Sequence, residues 1–145
     1  MKILILILSI IIFCFNVAAQ EHSCTALQAQ EAESSVSMLN NWQDIYKSFK
    51  RFRQCDDGAI AEGYSESIVR MLVHKWNQLD ILIKLASEDK DFYAFVIRHI
   101  DATADKAEIE MIICNSSKRC TKSASKICSE IKNKSKEALK EIGDY

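Results

Sequence analysis

The chain has 145 residues, no proline, three glycines and a formal net charge of −1. A nearly neutral balance gives no general attraction to nucleic acid or to an anionic membrane, and the scarcity of turn-forming residues argues against a β-rich fold. We therefore predict an all-α protein with a single core, because this length suffices for one compact domain and not for two.

Residues 1–19 have the layout of a secretory signal peptide. Lys2 precedes an apolar run from Ile3 to Phe15, and small residues follow as far as Ala19. The apolar run is shorter than the roughly 20 residues that span a bilayer. We expect cleavage after Ala19, no membrane span in the exported chain, and the periplasm as its compartment. Removal of Lys2 leaves a net charge of about −2.

Export changes the expected state of the cysteines, because exported thiols become oxidised. Five cysteines follow the signal peptide, which predicts disulfides with one thiol left over. The favoured bridge joins Cys55 to Cys120 or Cys128 and would tie the middle of the chain to its last helix. Cys24 and Cys114 are the other candidates. A zinc site is the alternative, but these cysteines lack the closely spaced pairs that are typical of structural zinc.

Residues 20–33 are polar and are expected to form a lead-in or a frayed helix, ahead of a single helical domain over residues 34–145. Within that domain, apolar residues recur at three- and four-residue steps, which predicts about five to six amphipathic helices. Short connections favour a compact bundle with antiparallel neighbours. The predicted helices cover approximately residues 34–53, 57–76, 78–86, 90–100, 105–115 and 123–142.

Charge is distributed unevenly along the domain. Residues 56–110 contain 12 acids and 6 bases, whereas residues 118–140 contain 8 bases and 2 acids. An acidic face of the middle helices would attract a basic partner, and a basic last helix would attract an acidic one. The sequence leaves open which of the two faces binds.

The stretch CDDGAIAEGYSESIVRMLVHKW, Cys55 to Trp76, is the most strongly patterned helix. Asp57 is expected to cap its start, where negative charge faces the positive end of the helix dipole. A catalytic pair of Asp56 and Asp57 is the alternative. A helix glycine usually has a packing reason, so Gly58 and Gly63 predict close contact with another helix, for which the last helix is the candidate. A smooth patch for a partner's loop is the other interpretation of the two glycines.

A second dense segment is FVIRHIDAT, Phe95 to Thr103. Arg98 and Asp101 are three residues apart, so they are expected to pair on one helix face, with His99 turned toward the core. Partial burial against Glu62 or Tyr64 would let this pair fix the packing angle of two helices.

Together these two segments resemble those of a group of small exported helical bacterial proteins. The resemblance covers the CDDGAIAEGYS and FVIRHIDAT segments and extends to cysteines near Cys120 and Cys128. It implies an exported helical fold and brings no activity with it. In general design the chain is also similar to periplasmic immunity proteins that protect bacteria from injected cell-wall amidases, although no motif is shared.

No nucleophile elbow, phosphate loop or metalloprotease motif is present, and neither His74 nor His99 has a second histidine at a ligand spacing. No catalytic residue, metal or cofactor is therefore predicted. The first hypothesis is a non-enzymatic periplasmic protein that binds or inhibits another protein, such as an immunity protein against a cell-wall-degrading toxin.

Two alternatives remain open. One is a hydrolase that uses Asp56, Asp57, Glu62 or His99, and the other is a structural envelope protein that oligomerises through the leftover cysteine. In the first hypothesis, several polar residues are expected to form a partner surface or a structural polar cluster. They are Asp56, Asp57, Glu62, Tyr64, Arg98, His99 and Asp101.

Overall fold

A computed structural model describes residues 23–143. The expected signal peptide, residues 1–19, lies outside this range, as does His22. Within the described residues the fold is all-α, as predicted, with seven α-helices and no strand. The helices are α1 (Ala26–Val36), α2 (Trp42–Phe52), α3 (Gly58–His74), α4 (Leu79–Glu88), α5 (Lys90–Arg98), α6 (Lys106–Lys118) and α7 (Ser125–Gly143). Short 3-10 helices occupy Arg53–Cys55, Trp76–Gln78 and Lys122–Ala124.

The difference from the predicted five to six helices is α1. Residues 20–33 were expected to form a lead-in or a frayed helix, and residues 26–33 belong to a capped helix that packs on α2 and α3. Thr25 and Gln28 form a reciprocal capping box at its start. Its apolar stripe consists largely of alanines, of which Ala32 is fully buried. Small side chains give a weak periodic signal, which is why the sequence pattern did not indicate that this helix is packed in the core.

The other helix starts follow the ordinary chemistry of capping. Asn41, Asp57, Asp89 and Asp105 each accept a hydrogen bond from a backbone N–H in the first turn of the helix that follows. The predicted cap at Asp57 is confirmed. Because α3 begins at this cap, the residues just before it are fixed against the start of the helix.

The core runs through the whole bundle and is richest in aromatic rings between α2, α3 and α5. Phe95 lies at the centre of this part, with ring centroids 4.9 Å from Phe49 and 4.9 Å from Tyr64. Phe95 and Tyr64 are both buried. A fully buried aromatic side chain contributes roughly 2 to 3 kcal/mol through the hydrophobic effect, so α5 is firmly held against α2 and α3.

The disulfides differ from the favoured pairing. Cys55 bonds to Cys24, with Cα atoms 4.9 Å apart, and Cys120 bonds to Cys128. The prediction that Cys55 bonds to Cys120 or Cys128 is therefore wrong. The first disulfide closes 31 residues and the second closes 8, which in the chain-entropy model contribute about 4 and about 2.5 kcal/mol. Cys114 is the free cysteine among the described residues and is partly buried.

The two glycines of the Cys55–Trp76 stretch have different roles. Gly58 has a φ of +50°, which suits glycine at the entry to α3. Gly63 is closely packed, because a Cβ atom there would lie 2.4 Å from Cγ2 of Val36. The predicted close packing is thus present at Gly63, but the neighbour is α1 and not the last helix.

No described helix is long and apolar enough to cross a membrane.

Gly63→Ala should destabilise the protein by about 1 to 3 kcal/mol, because the added methyl group has no room beside Val36. Urea unfolding followed by circular dichroism measures this change. Gly143→Ala is the matched control, since a Cβ atom there meets nothing within 4 Å, and it should change stability by less than about 0.5 kcal/mol. Equal stability of the two variants would contradict the close α1–α3 contact.

Candidate functional site

The Cys55–Trp76 and Phe95–Thr103 segments meet in one polar cluster. Asp56, which precedes α3, directs its carboxylate at the end of α5. Its Oδ1 lies 2.9 Å from Nε2 of His99, and its Oδ2 accepts a hydrogen bond of 2.6 Å from Nη2 of Arg98. The side chains of Asp56 and His99 are 8% and 4% exposed, whereas that of Arg98 is 61% exposed. Asp56 therefore binds both the buried His99 and the exposed Arg98.

Both ring nitrogens of His99 face hydrogen-bond acceptors. Nδ1 lies 2.8 Å from the backbone oxygen of Phe95, and a carbonyl oxygen can only accept, so Nδ1–H is the donor. Nε2 faces the carboxylate of Asp56. When that carboxylate is ionised, both contacts are satisfied only if each nitrogen carries a proton. His99 is then an imidazolium ion at the C-terminal end of α5, where the helix dipole favours a cation.

The environment of Asp56 supports its ionised form. Burial alone would raise the pKa of the Asp56 carboxyl, but the hydrogen bonds and charges of His99 and Arg98 outweigh burial and hold this pKa below its usual range. The carboxylate is therefore ionised at neutral pH. A buried His99 without this partner would leave a ring nitrogen unsatisfied, so the two residues stabilise each other.

The predicted pair of Arg98 and Asp101 does not form, because Arg98 turns to Asp56 instead. Asp101 accepts hydrogen bonds from the Ser65 hydroxyl at 2.8 Å and from the Thr103 backbone at 2.9 Å. Burial would raise the pKa of Asp101, but these hydrogen bonds outweigh it and lower the pKa. The expectation that His99 turns toward the core is confirmed, since this residue is 3% exposed.

The remaining predicted residues have separate roles. Tyr64 shares a hydrogen bond of 2.7 Å with Ser48 of α2, and burial raises the pKa of its phenol. Its ring also contacts His99 edge-on, at 5.8 Å between centroids. Asp57 is exposed and caps α3. Glu62 is exposed and lines a shallow cavity of about 190 Å³ beside Asp56 and His99. The structure thus brings Asp56, Arg98 and His99 into direct contact but leaves Asp57 outside the cluster.

This arrangement is poorly suited to acid–base catalysis. A general base needs a nitrogen or oxygen free to take a proton from a substrate, and both nitrogens of His99 are already hydrogen-bonded inside the protein. The carboxylate of Asp101 is likewise held by Ser65 and Thr103. The geometry instead fixes the end of α5 and the following turn against the start of α3.

A larger acidic groove lies next to the cluster, between α1, α3 and the start of α6. Its cavity is about 590 Å³, and Glu62 and Thr103 line both this groove and the smaller cavity beside Asp56. Gly63 and Val36, which hold α1 close to α3, also line it. Among its lining residues there is no Lys, Arg or His. Its carboxylates belong to Glu33, Glu62, Glu66, Asp105 and Glu108.

Most of these carboxylates have no basic partner. Glu66 pairs with Arg70 at 3.0 Å, while Glu33, Glu62 and Glu108 make no salt bridge within the described residues. Asp105 accepts a hydrogen bond from the backbone of Ala107. Neighbouring like charges repel one another. The groove therefore carries a local negative potential, which the described part of the chain neutralises by a salt bridge only at Glu66.

Exposed methionines lie near the acidic groove. Met111 is 48% exposed and follows Glu108 by three residues, so the two side chains lie on one side of α6. Met38 is 66% exposed and directly follows Ser37, which lines the groove. Flexible thioether side chains adapt to the shape of a partner. The region thus combines negative charge with apolar surface.

Of the acidic-groove carboxylates, only Glu62 is predicted from the sequence as a site residue. The i,i+4 spacing of Glu62 and Glu66 and the i,i+3 spacing of Asp105 and Glu108 would have placed each pair on one helix face. That three separate helices bring these pairs together with Glu33 could not be found without the tertiary arrangement.

Within residues 23–143, no group of three or more His, Cys, Asp or Glu side chains is arranged to hold a metal ion. No protein-family model, curated protein or solved structure matches the chain. The interpretation of the site therefore rests on its own geometry and charges.

Asp56→Asn should destabilise the protein by about 3 kcal/mol at pH 7, because it removes one partner of a buried charged pair. The pH dependence should change as well. A lowered folded pKa means that Asp56 contributes its full stabilisation above its unfolded pKa of about 3.9 and loses it as the pH falls through the folded value. The variant should therefore lose less stability than the wild type below about pH 4.

Thermal unfolding between pH 7 and pH 2.5 measures both effects. Asp57→Asn is the matched control, since it removes the same charge from the neighbouring residue and Asn caps a helix about as well as Asp. A wild-type acid profile in Asp56→Asn would contradict the assigned pair.

Proposed function

We propose that this chain is a non-enzymatic exported protein that binds, and thereby inhibits, another protein through the acidic groove. The single observation behind the proposal is a preformed groove of about 590 Å³ whose carboxylates largely lack basic partners. The proposed partner presents a basic segment with Lys or Arg side chains. Such a segment would neutralise the groove and speed association by electrostatic steering.

Rigidity supports this proposal. The groove walls come from α1, α3 and α6, and α1 is fixed by the Cys24–Cys55 disulfide at one end and by the Val36–Gly63 contact at the other. A preorganised surface loses little conformational entropy on binding, which favours affinity. An inhibitor benefits from this property because its complex must persist.

Export to the periplasm is part of the proposal. It is supported by the signal-peptide pattern of residues 1–19 and by two disulfides, which persist in oxidising compartments. An immunity protein that neutralises a cell-wall-degrading toxin would combine this compartment, a compact cross-linked fold and a protein-binding groove.

The hydrolase alternative is less well supported. It requires Asp56 and His99 to act on a substrate, but their polar atoms are engaged with each other and with the surrounding protein. The structural envelope alternative depends on an intermolecular bond through Cys114, which is partly buried on α6. Of the acidic-groove carboxylates, these alternatives involve only Glu62.

The test is capture of a partner from periplasmic extract at low salt, using the purified chain from residue 20 as bait. A variant with Glu33→Gln, Glu62→Gln and Glu108→Gln should lose the captured protein, because it removes three unpaired charges of the groove. Capture by the wild type should also weaken as salt is raised, since exposed charges are screened.

A charge-matched control carries Asp80→Asn, Glu110→Gln and Glu141→Gln, three exposed residues that do not line the groove. This control should retain the captured protein. Failure of the wild type to capture any protein, or equal loss of capture in both triple variants, would contradict the proposal.

A further inference from the structure

The described residues form a second groove, of opposite charge to the first. It measures about 770 Å³ and is formed by α1, α2, the 3-10 helix Arg53–Cys55 and α5. We call it the basic groove. Its lining contains four cations, a single acid, Asp91, and the rings of Phe49 and Phe95. The cations are Lys50, Arg51, Arg53 and Arg98.

Of the four cations in the basic groove, Arg53 makes the weakest contacts with acidic side chains. It makes no side-chain hydrogen bond within residues 23–143, and its only salt bridge is a 3.7 Å contact with Asp91, whose side chain is 81% exposed. The guanidinium lies over the ring of Phe49, with its central carbon 5.8 Å from the ring centroid. Arg53 is therefore oriented by an aromatic ring while its N–H donors remain available.

Arg98 presents a second oriented guanidinium in the same groove. It lies over the ring of Phe95 at 5.6 Å, and one of its terminal nitrogens is held by Asp56. Its other N–H groups make no hydrogen bond to the described residues. Two guanidinium groups fixed on neighbouring aromatic rings match the planar geometry with which arginine binds carboxylates and phosphates.

The other two cations are paired with acids that do not line the groove. Lys50 contacts Asp89 at 3.2 Å, and Arg51 contacts Glu31 at 2.5 Å. These partners hold the side chains in place while the cavity itself keeps an excess of positive charge. An anion entering the basic groove would thus meet four cations and one lining carboxylate, the highly exposed one of Asp91.

We propose that the basic groove is a binding site for a ligand that carries a compact oxyanion, a carboxylate or a phosphate group. Arg53 and Arg98 bind the oxyanion, and Lys50 and Arg51 contribute the surrounding positive potential. The cavity has the size of sites that hold small organic ligands, so the ligand is larger than a bare ion. This site is separate from the acidic groove, which is lined by other residues.

The test is a ¹⁵N nuclear magnetic resonance titration of the chain from residue 20 with glutarate and, separately, with inorganic phosphate, at constant ionic strength. Saturable shifts at residues lining the basic groove are expected with at least one anion. The anion that binds more tightly shows whether the oxyanion of the ligand is a carboxylate or a phosphate. Arg53→Gln should weaken binding about tenfold, as expected for loss of a charge-assisted hydrogen bond. Asp91→Asn should strengthen it several-fold, because the competing carboxylate is removed.

Lys126→Gln, an exposed position on α7, is the control for general loss of positive charge and should leave binding unchanged. Absence of saturable shifts with both anions would overturn the site. Equal weakening in Arg53→Gln and Lys126→Gln would also overturn it, as would weaker binding in Asp91→Asn. Capture of a protein by the acidic groove is a different measurement, so either proposal can fail alone.

Discussion

The arrangement of α3 and α5 depends on the carboxylate of Asp56. This carboxylate satisfies Nε2 of His99, which is buried at the end of α5. Without it, one ring nitrogen would be buried without a partner, at a cost of roughly 1 to 3 kcal/mol. Asp56 is itself fixed by the disulfide of Cys55 on one side and by the Asp57 cap on the other. The connection between the start of α3 and the end of α5 is therefore set by covalent, capping and electrostatic constraints together.

The same connection positions both grooves. Arg98, bound to Asp56, lines the basic groove, whereas Glu62, one turn into α3, lines the acidic groove. The cavity beside Asp56 and His99 shares residues with each of them. Movement of α5 relative to α3 would change both grooves at once. The polar cluster of Asp56, Arg98 and His99 thus acts, in our account, as the support between two charged surfaces.

Much of the fold could be predicted from local sequence. The absence of proline and the apolar stripes of α2 and α7 indicated helices, and the position of Asp57 before α3 indicated a cap. The alanine-rich α1 was expected only as a lead-in or a frayed helix, because small side chains give little periodic contrast. The cysteine pairs could not be chosen, since α1 brings Cys24 beside Cys55 only in the folded chain.

As with the fold, the features of the site that depend on neighbouring residues in the sequence were predicted better than those that depend on contacts between distant residues. His99 was correctly placed toward the core, but the expected Arg98–Asp101 pair relied on spacing along one helix, and the actual partner of Arg98 lies 42 residues away. The acidic groove collects carboxylates from three helices, so no single segment of sequence reveals it. Charge counts indicated an acidic middle region, and the tertiary arrangement determined where that charge is concentrated.

The most direct test of the central claim is the protonation state of the His99 ring, read from its ¹⁵N chemical shifts and N–H couplings at pH 7. If Asp56 and His99 form a structural ion pair, both ring nitrogens carry protons, with Nδ1–H bonded to Phe95 and Nε2–H to Asp56. A ring with one unprotonated nitrogen would contradict this account. With one unprotonated ring nitrogen, His99 would again be a candidate for acid–base catalysis.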